Sequence, residues 1–199
     1  MQIYPDIKKK KALVIGAGIH GSCIAIELAK VGYDVEVVDS NSDILMGTSG
    51  ASHNRIHLGY HYPRSVETAL ECKRGYDCFK KHFGNCIKYP DFYYLVEKDN
   101  SWVPADEYRK FIESVGLEKN EEWPAESFLD RSKIAASFKV REGYFDILML
   151  RKIIKERFKM HAIKTRLNFS IKTAEIQRRN ILRLYSNKNE IFETRTDLI

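Results

Sequence analysis

The sequence predicts an α/β fold built around a parallel sheet, and three neighbouring segments predict it. Residues 12–15 form a short, continuous apolar run, which is typical of a strand buried on both faces. A glycine-rich turn follows and leads into a helical pattern over 19–31, which Gly32 ends. A second apolar segment at 35–39 completes a compact strand–helix–strand unit.

The composition indicates a globular chain rather than a disordered one. Of the 199 residues, 44% are hydrophobic and 12% aromatic, as in globular proteins. This length is sufficient for one domain that carries a smaller insertion. The net charge of +6 comes from scattered basic residues, apart from the lysines at 8–11 that precede the first strand. We therefore expect a solvated basic surface and no nucleic-acid partner.

The cysteines indicate reduced thiols in a cytoplasmic protein. Cys23, Cys72, Cys78 and Cys86 form no CxxC pair and complete no zinc-binding pattern, so we expect no metal site. The first residues lack the apolar core of a signal peptide, and no apolar run is long enough to span a bilayer.

Further along the chain, polar loops separate helical and extended patterns. In the first helix, Ile24, Leu28 and Val31 form the apolar stripe expected to face the core. Residues 41–54 are rich in Gly, Ser, Thr and Asn and predict a loop. The later helices are predicted at 65–83, 105–115 and 147–158, and the later strands at 92–96, 162–167, 171–176, 181–185 and 192–199.

The strongest motif is a GxGxxG between the first strand and the first helix. Gly16 permits a tight turn, Gly18 allows the backbone to approach a pyrophosphate, and Gly21 lets the helix pack closely on the strand. The peptide N–H groups at the start of the helix then face the phosphates, and the helix dipole adds attraction. The predicted cofactor contacts in this turn, with His20 contributing its backbone, are Gly16, Ala17, Gly18, Ile19, His20 and Gly21.

An acidic residue ends the second strand, as a dinucleotide site requires. Asp39, with Ser40 beside it, is placed to accept hydrogen bonds from the adenosine ribose hydroxyls. Its charge disfavours NADP, whose 2′-phosphate it would repel. The motif predicts a Rossmann-type nucleotide-binding fold, and by itself it leaves FAD and NAD both open.

The segment from Thr48 to Pro63 narrows the choice of cofactor. It is polar at first and then aromatic, ending in His57-Leu58-Gly59-Tyr60-His61-Tyr62-Pro63 directly before a helix. It resembles the second flavin-contacting loop of the D-amino-acid oxidase superfamily, which includes glycine oxidase, sarcosine oxidase and L-2-hydroxyglutarate oxidase. The resemblance implies FAD as the cofactor, with Thr48, Ser49 and Ser52 among its contacts.

The same resemblance places three side chains near the flavin ring: Arg55, His57 and His61. A cationic or neutral donor there would stabilise the negative charge of the reduced ring, and an arginine can also bind a substrate carboxylate in bidentate fashion. These three are the candidate catalytic residues. The alternative for Arg55 is a structural ion pair with an acid, and for the histidines a structural role.

The resemblance also implies a division of the chain. Residues 1–86 form the FAD-binding segment, 87–145 an inserted α+β segment on the substrate side, and 146–199 a return to the first domain. The later half of the family's fold has no counterpart in this chain, which is therefore identified as an N-terminal, C-terminally incomplete portion.

The expected activity is FAD-dependent oxidation of a small amino acid or 2-hydroxy acid, with hydride transfer to the flavin. Two alternatives stay open: an NAD-dependent dehydrogenase, and an inactive nucleotide-binding remnant. The sequence does not indicate an oligomeric state.

Overall fold

Two compact units make up the chain. The computed structural model describes residues 9–125, 129–177 and 180–199. The first unit comprises Met1–Ser52 and Ile147–Ile199, and the second comprises His53–Asp146. This division differs from the expected boundary at 86, because residues 53–86 belong to the second unit.

The described helices and strands follow one another in an order close to the predicted one. In chain order they are β1 (Lys11–Ile15), α1 (Ile19–Lys30), β2 (Asp34–Val38), α2 (Thr48–Ala51), β3 (Arg55–Ile56), α3 (Val66–Phe83), β4 (Ile87–Lys88), β5 (Phe92–Glu97), α4 (Ala105–Ser114), β6 (Ile134–Val140), β7 (Gly143–Phe145), α5 (Ile147–Met160), β8 (Lys164–Arg166), β9 (Ile171–Gln177), β10 (Ile181–Ser186) and β11 (Ile191–Arg195). No described helix is both long and apolar enough to cross a membrane.

The first unit is built on a parallel sheet in the order β1–β2–β8. Ile15 pairs with Val38, so the carboxyl ends of β1 and β2 meet at the same edge. An antiparallel sheet in the order β11–β10–β9 belongs to the same unit. Leu13 and Val38 of the parallel sheet pack in one buried cluster with Leu184 and Phe192 of the antiparallel one. This packing fixes the edge at which the glycine-rich turn begins.

The buried face of helix α1 differs from the predicted apolar stripe. Ser22, Ala25 and Ile26 are buried, whereas Ile24 and Val31 are 54% and 73% exposed. Ser22 also donates its hydroxyl to the backbone oxygen of Ala17. The close approach of helix and strand at the turn places the small side chains inward. The prediction was wrong for Ile24 and Val31, whereas Leu28 is half-buried; the buried face consists of two small residues and Ile26.

The second unit has a core formed by α4 against the antiparallel pair β5–β6. Tyr108 and Ile112 of the helix pack with Val96 and Phe138 of the strands. The sequence did not predict β6, whose buried residues include small and polar ones. A further antiparallel sheet has the order β3–β7–β4. It pairs Arg55 with Tyr144, which explains why the boundary between the units lies before residue 55.

Helix α3 begins with a side-chain cap that offers a first test of the structure. Ser65 Oγ accepts a hydrogen bond from the Thr68 backbone N–H at 3.2 Å. We expect Ser65→Ala to lower the free energy of unfolding by about 1 kcal/mol, because the N–H group loses its partner. Urea unfolding measures the effect. Ser65→Asp keeps a hydrogen-bond acceptor, so its free energy of unfolding should fall much less. Equal decreases in the two variants would contradict the capping role.

Candidate functional site

The glycine-rich turn crosses the edge of the parallel sheet in a conformation that excludes side chains. Gly16 has a φ of +102°, in the region that favours glycine, and its N–H donates to the Val38 oxygen at 2.7 Å. A Cβ added to Gly21 would lie 1.9 Å from the Gly16 carbonyl oxygen. The first turn of α1 therefore lies directly on the backbone of the loop before it.

The beginning of α1 presents peptide N–H groups next to the segment that contains Ser49. Gly18 is the N-cap, and a Cβ added there would lie 3.4 Å from Ser49 Oγ. The N–H of Ile19 donates to that same oxygen at 3.1 Å. The first N–H groups of a helix lack partners within it, so they need an acceptor from outside. Ser49, predicted as a cofactor contact, supplies one.

Asp39 lies against the turn at the carboxyl end of β2. Its Oδ2 accepts a hydrogen bond from the Ala17 N–H at 2.6 Å, and its Oδ1 accepts one from the Asn41 N–H at 2.7 Å. Ala17 is fully buried, whereas Asp39 is partly exposed. The Asn41 side-chain amide also donates to Oδ1, at 2.9 Å. Since a carboxylate has about four acceptor positions, Asp39 can hold the turn and keep one position on Oδ2 for a hydroxyl.

The remaining predicted contacts of the first unit lie around this turn. His20, Ser40, Thr48 and Ser52 are exposed. Thr48 begins α2, a short helix within the segment that the sequence predicted as a loop, and Ser52 follows its last residue. The preceding segment is attached to the turn, because the Leu45 N–H donates to the Ala17 oxygen at 2.9 Å.

The geometry of the first unit fits a dinucleotide. The start of α1 has N–H donors that would suit a diphosphate, Gly18 before it carries no side chain, and the Asp39 carboxylate would suit a ribose. These groups come from the ends of two adjacent parallel strands and from one helix.

A second group of functional side chains lies in the second unit, around a buried acid. The Glu142 side chain is 0% exposed, and its Oε2 accepts hydrogen bonds from Arg55 Nη2 at 2.8 Å and from the Tyr94 hydroxyl at 2.9 Å. Its Oε1 accepts the Leu58 N–H at 2.7 Å. Arg55 also lies over the rings of Phe92 and Tyr94, 4.5 and 5.2 Å from their centroids. The structure thus places Arg55 in an ion pair with an acid, the alternative that the sequence left open.

His57 and His61 lie together beside this ion pair. Their rings stack with centroids 5.4 Å apart, and Tyr62 meets both rings edge-on. Nδ1 of His57 is 3.6 Å from Glu142 Oε2, which is within ion-pair range and beyond hydrogen-bonding distance. All three candidate catalytic side chains are therefore neighbours in the second unit.

The pKa of Glu142 reflects these neighbouring groups. Burial by itself would raise it. The His57 imidazole, the Leu58 N–H and the Tyr94 hydroxyl outweigh burial and hold the pKa of Glu142 below its ordinary value. Burial, and then the Glu142 carboxylate, raise the pKa of Tyr94, and burial raises the pKa of Tyr60 to about 12. Glu142 is thus a carboxylate surrounded by neutral phenols, one imidazole and one guanidinium.

Sequence reasoning did not identify Glu142. It lies between a charged residue and a glycine in a polar stretch, which gives no sign of burial. Its partners are distant in sequence: Arg55 is 87 positions away and Tyr94 is 48. The sequence signal was Arg55, whose alternative role in an ion pair requires an acid elsewhere in the chain.

Comparison with known proteins identifies the family. Residues 11–148 match the family model described as FAD dependent oxidoreductase. This match confirms the resemblance to the D-amino-acid oxidase superfamily, and it decides between the two cofactors in favour of FAD.

Individual relatives cover parts of the chain. It is 29% identical over 105 residues to the FAD-dependent monooxygenase FPY4 of Fusarium mangiferae. The matched segment covers 52% of this chain and 28% of that protein. It is 34% identical over 77 residues to the mitochondrial L-2-hydroxyglutarate dehydrogenase of Arabidopsis thaliana, covering 39% of this chain and 15% of that protein.

A solved structure shows the fold. L-proline dehydrogenase from P. horikoshii superposes with a TM-score of 0.70 at 22% identity, covering 94% of this chain and 51% of that one. The chain thus spans about half the length of that structure and a smaller share of the two relatives. Its α/β fold is the FAD-binding fold that the sequence predicted. Together with the match over residues 11–148, this shows that the chain belongs to the FAD dependent oxidoreductase family.

Proposed function

We propose that this chain binds the ADP portion of FAD at the glycine-rich turn and belongs to an enzyme that oxidises a small carboxylic acid. The substrate is a 2-hydroxy acid or an amino acid, and its hydride passes to the flavin. One observation carries the proposal: Asp39 binds the N–H of Ala17 in the turn that leads into α1, at the carboxyl edge of the parallel sheet. Such an edge is where open α/β sheets bind their ligands.

Each residue of the turn has a separate role toward FAD. The N–H groups at the start of α1 would bind the diphosphate, with Ser49 beside them as a further hydrogen-bonding group. Asp39 would accept hydrogen bonds from the adenosine ribose. FAD, when bound, supplies the two-electron acceptor that the side chains of this protein lack.

The role of Asp39 predicts a loss of FAD affinity on substitution. We expect Asp39→Asn to weaken FAD binding by about 10- to 100-fold, because a charge-assisted hydrogen bond contributes roughly 1.5–3 kcal/mol. Fluorescence quenching during FAD titration measures the dissociation constant. Asp34→Asn is the matched control, since Asp34 begins the strand that Asp39 follows and forms a partly exposed pair with Lys164. Equal affinity in wild type and Asp39→Asn would rule out this role.

The nature of the substrate is supported by the relatives and by the chemistry of the second unit. One relative is named for a 2-hydroxy acid and one structural neighbour for proline, both of them small carboxylic acids. Histidines and a carboxylate of the kind found around Glu142 can bind and move protons during such oxidations. The test is anaerobic mixing of the FAD-loaded protein with a panel of 2-hydroxy acids and amino acids, followed by flavin absorbance.

Bleaching of the flavin band by a member of the panel supports the proposal. The alternative candidate is nucleotide binding without turnover. FAD binding without bleaching by any member of the panel would support that candidate and contradict oxidation of small acids.

A further inference from the structure

We infer that two cations of helix α5 are positioning residues for FAD, because they hold the segment 43–51 in the conformation that receives the diphosphate. The two residues are Arg151 and Lys155, and we call the segment 43–51 the arm. This inference rests on the proposed function and deepens it, since the arm lies against the same glycine-rich turn. The helix, the arm and the turn all belong to the first unit.

The two cations bind the start of the arm from one face of α5. Lys155 Nζ donates to Asp43 Oδ2 at 2.7 Å, and Arg151 Nε donates to the Ile44 carbonyl oxygen at 3.0 Å. The same Nε lies 3.8 Å from Asp43 Oδ2. Arg151 and Lys155 are four positions apart, so they share one side of the helix. We call this group of contacts, made by Asp43, Ile44, Arg151 and Lys155, the clasp.

Asp43 is ionised and binds its own backbone as well as the helix. Its Oδ1 accepts a hydrogen bond from the Ile44 N–H at 2.8 Å. Burial alone would raise the pKa of Asp43. The Lys155 ammonium, the Ile44 N–H and the Arg151 guanidinium outweigh burial and hold this pKa below its ordinary value. Both backbone polar groups of Ile44 are therefore bound within the clasp, and Ile44 itself is buried.

The residue after the clasp has a backbone conformation that needs support. Leu45 has a φ of +58°, in the left-handed region that residues other than glycine rarely adopt. Its side chain is buried, and its N–H donates to the Ala17 oxygen of the turn at 2.9 Å. Such a conformation persists only where the surrounding contacts hold it. The clasp supplies contacts of this kind on the preceding residue, and the burial of Ile44 and Leu45 adds to them.

The conformation of Leu45 sets the position of the rest of the arm. The backbone of Gly50 lies directly on the Leu45 carbonyl oxygen, because a Cβ added to Gly50 would clash with that atom. The Gly50 N–H donates to the Gly47 oxygen at 2.9 Å, within the first turn of α2. Ser49, beside Gly50, accepts the Ile19 N–H at 3.1 Å. The clasp therefore acts on the start of α1 through the arm.

The clasp is expected to act on the rate at which FAD binds. Without it, Leu45 can relax out of the left-handed region, and only the fraction of molecules with the arm in place is ready for the diphosphate. The apparent affinity falls by that fraction, and so does the association rate constant. Once FAD is bound, its own contacts hold the arm, so the dissociation rate constant changes much less. A role confined to global stability would leave the association rate constant unchanged.

The association rate constant is measured by mixing the FAD-free full-length protein with FAD and following flavin fluorescence with time. We expect Arg151→Met to lower it by about 10-fold, because a charge-assisted hydrogen bond to a buried residue is lost. The dissociation rate constant should change by less than about threefold. Lys152→Met is the matched control, since Lys152 is an exposed cation of the same helix. Equal association rate constants in the two variants, or a change in dissociation alone, would overturn the inference.

Lys155 offers a milder pair of variants, which applies if Arg151→Met does not fold. The Lys155 side chain is half exposed, so Lys155→Met should lower the association rate constant by only about two- to fivefold. Lys155→Arg keeps the charge that binds Asp43 and should restore the wild-type rate constant. A Lys155→Arg variant that binds FAD as slowly as Lys155→Met would overturn the role assigned to Lys155.

The arm can also be observed without FAD. Amide hydrogen exchange, read by NMR, reports how often the Leu45 N–H leaves the Ala17 oxygen. We expect Arg151→Met to lower the protection of this amide by about 10-fold relative to Lys152→Met, with a much smaller change in strand β2. Unchanged protection at Leu45 would overturn the inference. Failure of the wild type to bind FAD would refute the proposed function, and a loss of Leu45 protection would in that case still support the clasp.

Discussion

Gly21→Ala is expected to abolish tight FAD binding and to destabilise the protein. The added Cβ would lie 1.9 Å from the Gly16 carbonyl oxygen, a backbone atom that cannot move without changing the turn. Helix α1 must then shift away from the strand, and its N–H groups no longer meet a diphosphate. We expect a loss of about 2–3 kcal/mol in the free energy of unfolding, as for other overpacked sites, and at least about a 100-fold loss in FAD affinity.

Urea unfolding and FAD titration of the same variant measure both effects. Gly47→Ala is the control, because a Cβ added to Gly47 has no atom of the described residues within 4 Å and its φ is −77°. The control should leave both quantities nearly unchanged. If Gly21→Ala bound FAD as tightly as the control, the turn described above would not be the binding site.

Glu142→Leu is expected to destabilise the second unit by about 3 kcal/mol. The substitution removes the acceptor of Arg55, of the Leu58 N–H and of the Tyr94 hydroxyl at once. Breaking a buried ion pair by removing one partner typically costs about 3–5 kcal/mol. We expect the lower end of that range, because the Arg55 side chain is 28% exposed and keeps some contact with water.

The same carboxylate should make stability depend on pH. The pKa of Glu142 lies below its ordinary value of about 4.5 in the folded protein. The stabilisation of the folded state by the ionised Glu142 is therefore fully present above about pH 4.5. This stabilisation is lost as the pH falls through the lowered pKa of Glu142. In Glu142→Leu this part of the acid destabilisation should be missing.

Glu121→Gln is the control for these measurements. Glu121 is an exposed acid that accepts two hydrogen bonds from Arg109, at 2.7 and 3.0 Å. An exposed ion pair contributes about 0–1 kcal/mol, so the control should unfold almost as the wild type does. Equal losses in the two variants would mean that the interior of the second unit does not depend on Glu142.

The nucleotide-binding part of the fold was predictable because its signals are local. Strand β1, the turn, α1 and β2 lie within residues 11–38, and each begins or ends within one residue of its predicted position. Gly16 is required by its positive φ, and Gly21 by its close approach to the Gly16 carbonyl oxygen. Both requirements arise within six consecutive residues, so the sequence pattern alone reveals them. The family match confirms the cofactor that this pattern and the following loop predicted.

The second unit was less predictable because its key contacts are distant in sequence. Strand β6 has buried Ala136 and Ser137 beside buried Phe138, a composition without the alternation of a half-buried strand. The buried Glu142 is bound by Arg55 and Tyr94, which come from strands distant in sequence. The boundary at residue 53 depends on the pairing of β3 with β7, which no local pattern shows.

The central claim is that the turn from Gly16 to Gly21, together with Asp39, holds FAD. Its most direct measurement is flavin content: the full-length protein is purified, its visible absorption is recorded, and FAD is added back by titration. We predict flavin absorption bands and a saturable, stoichiometric FAD complex that Gly21→Ala prevents. A folded wild-type protein that carries no flavin and binds none on addition of FAD would contradict this claim.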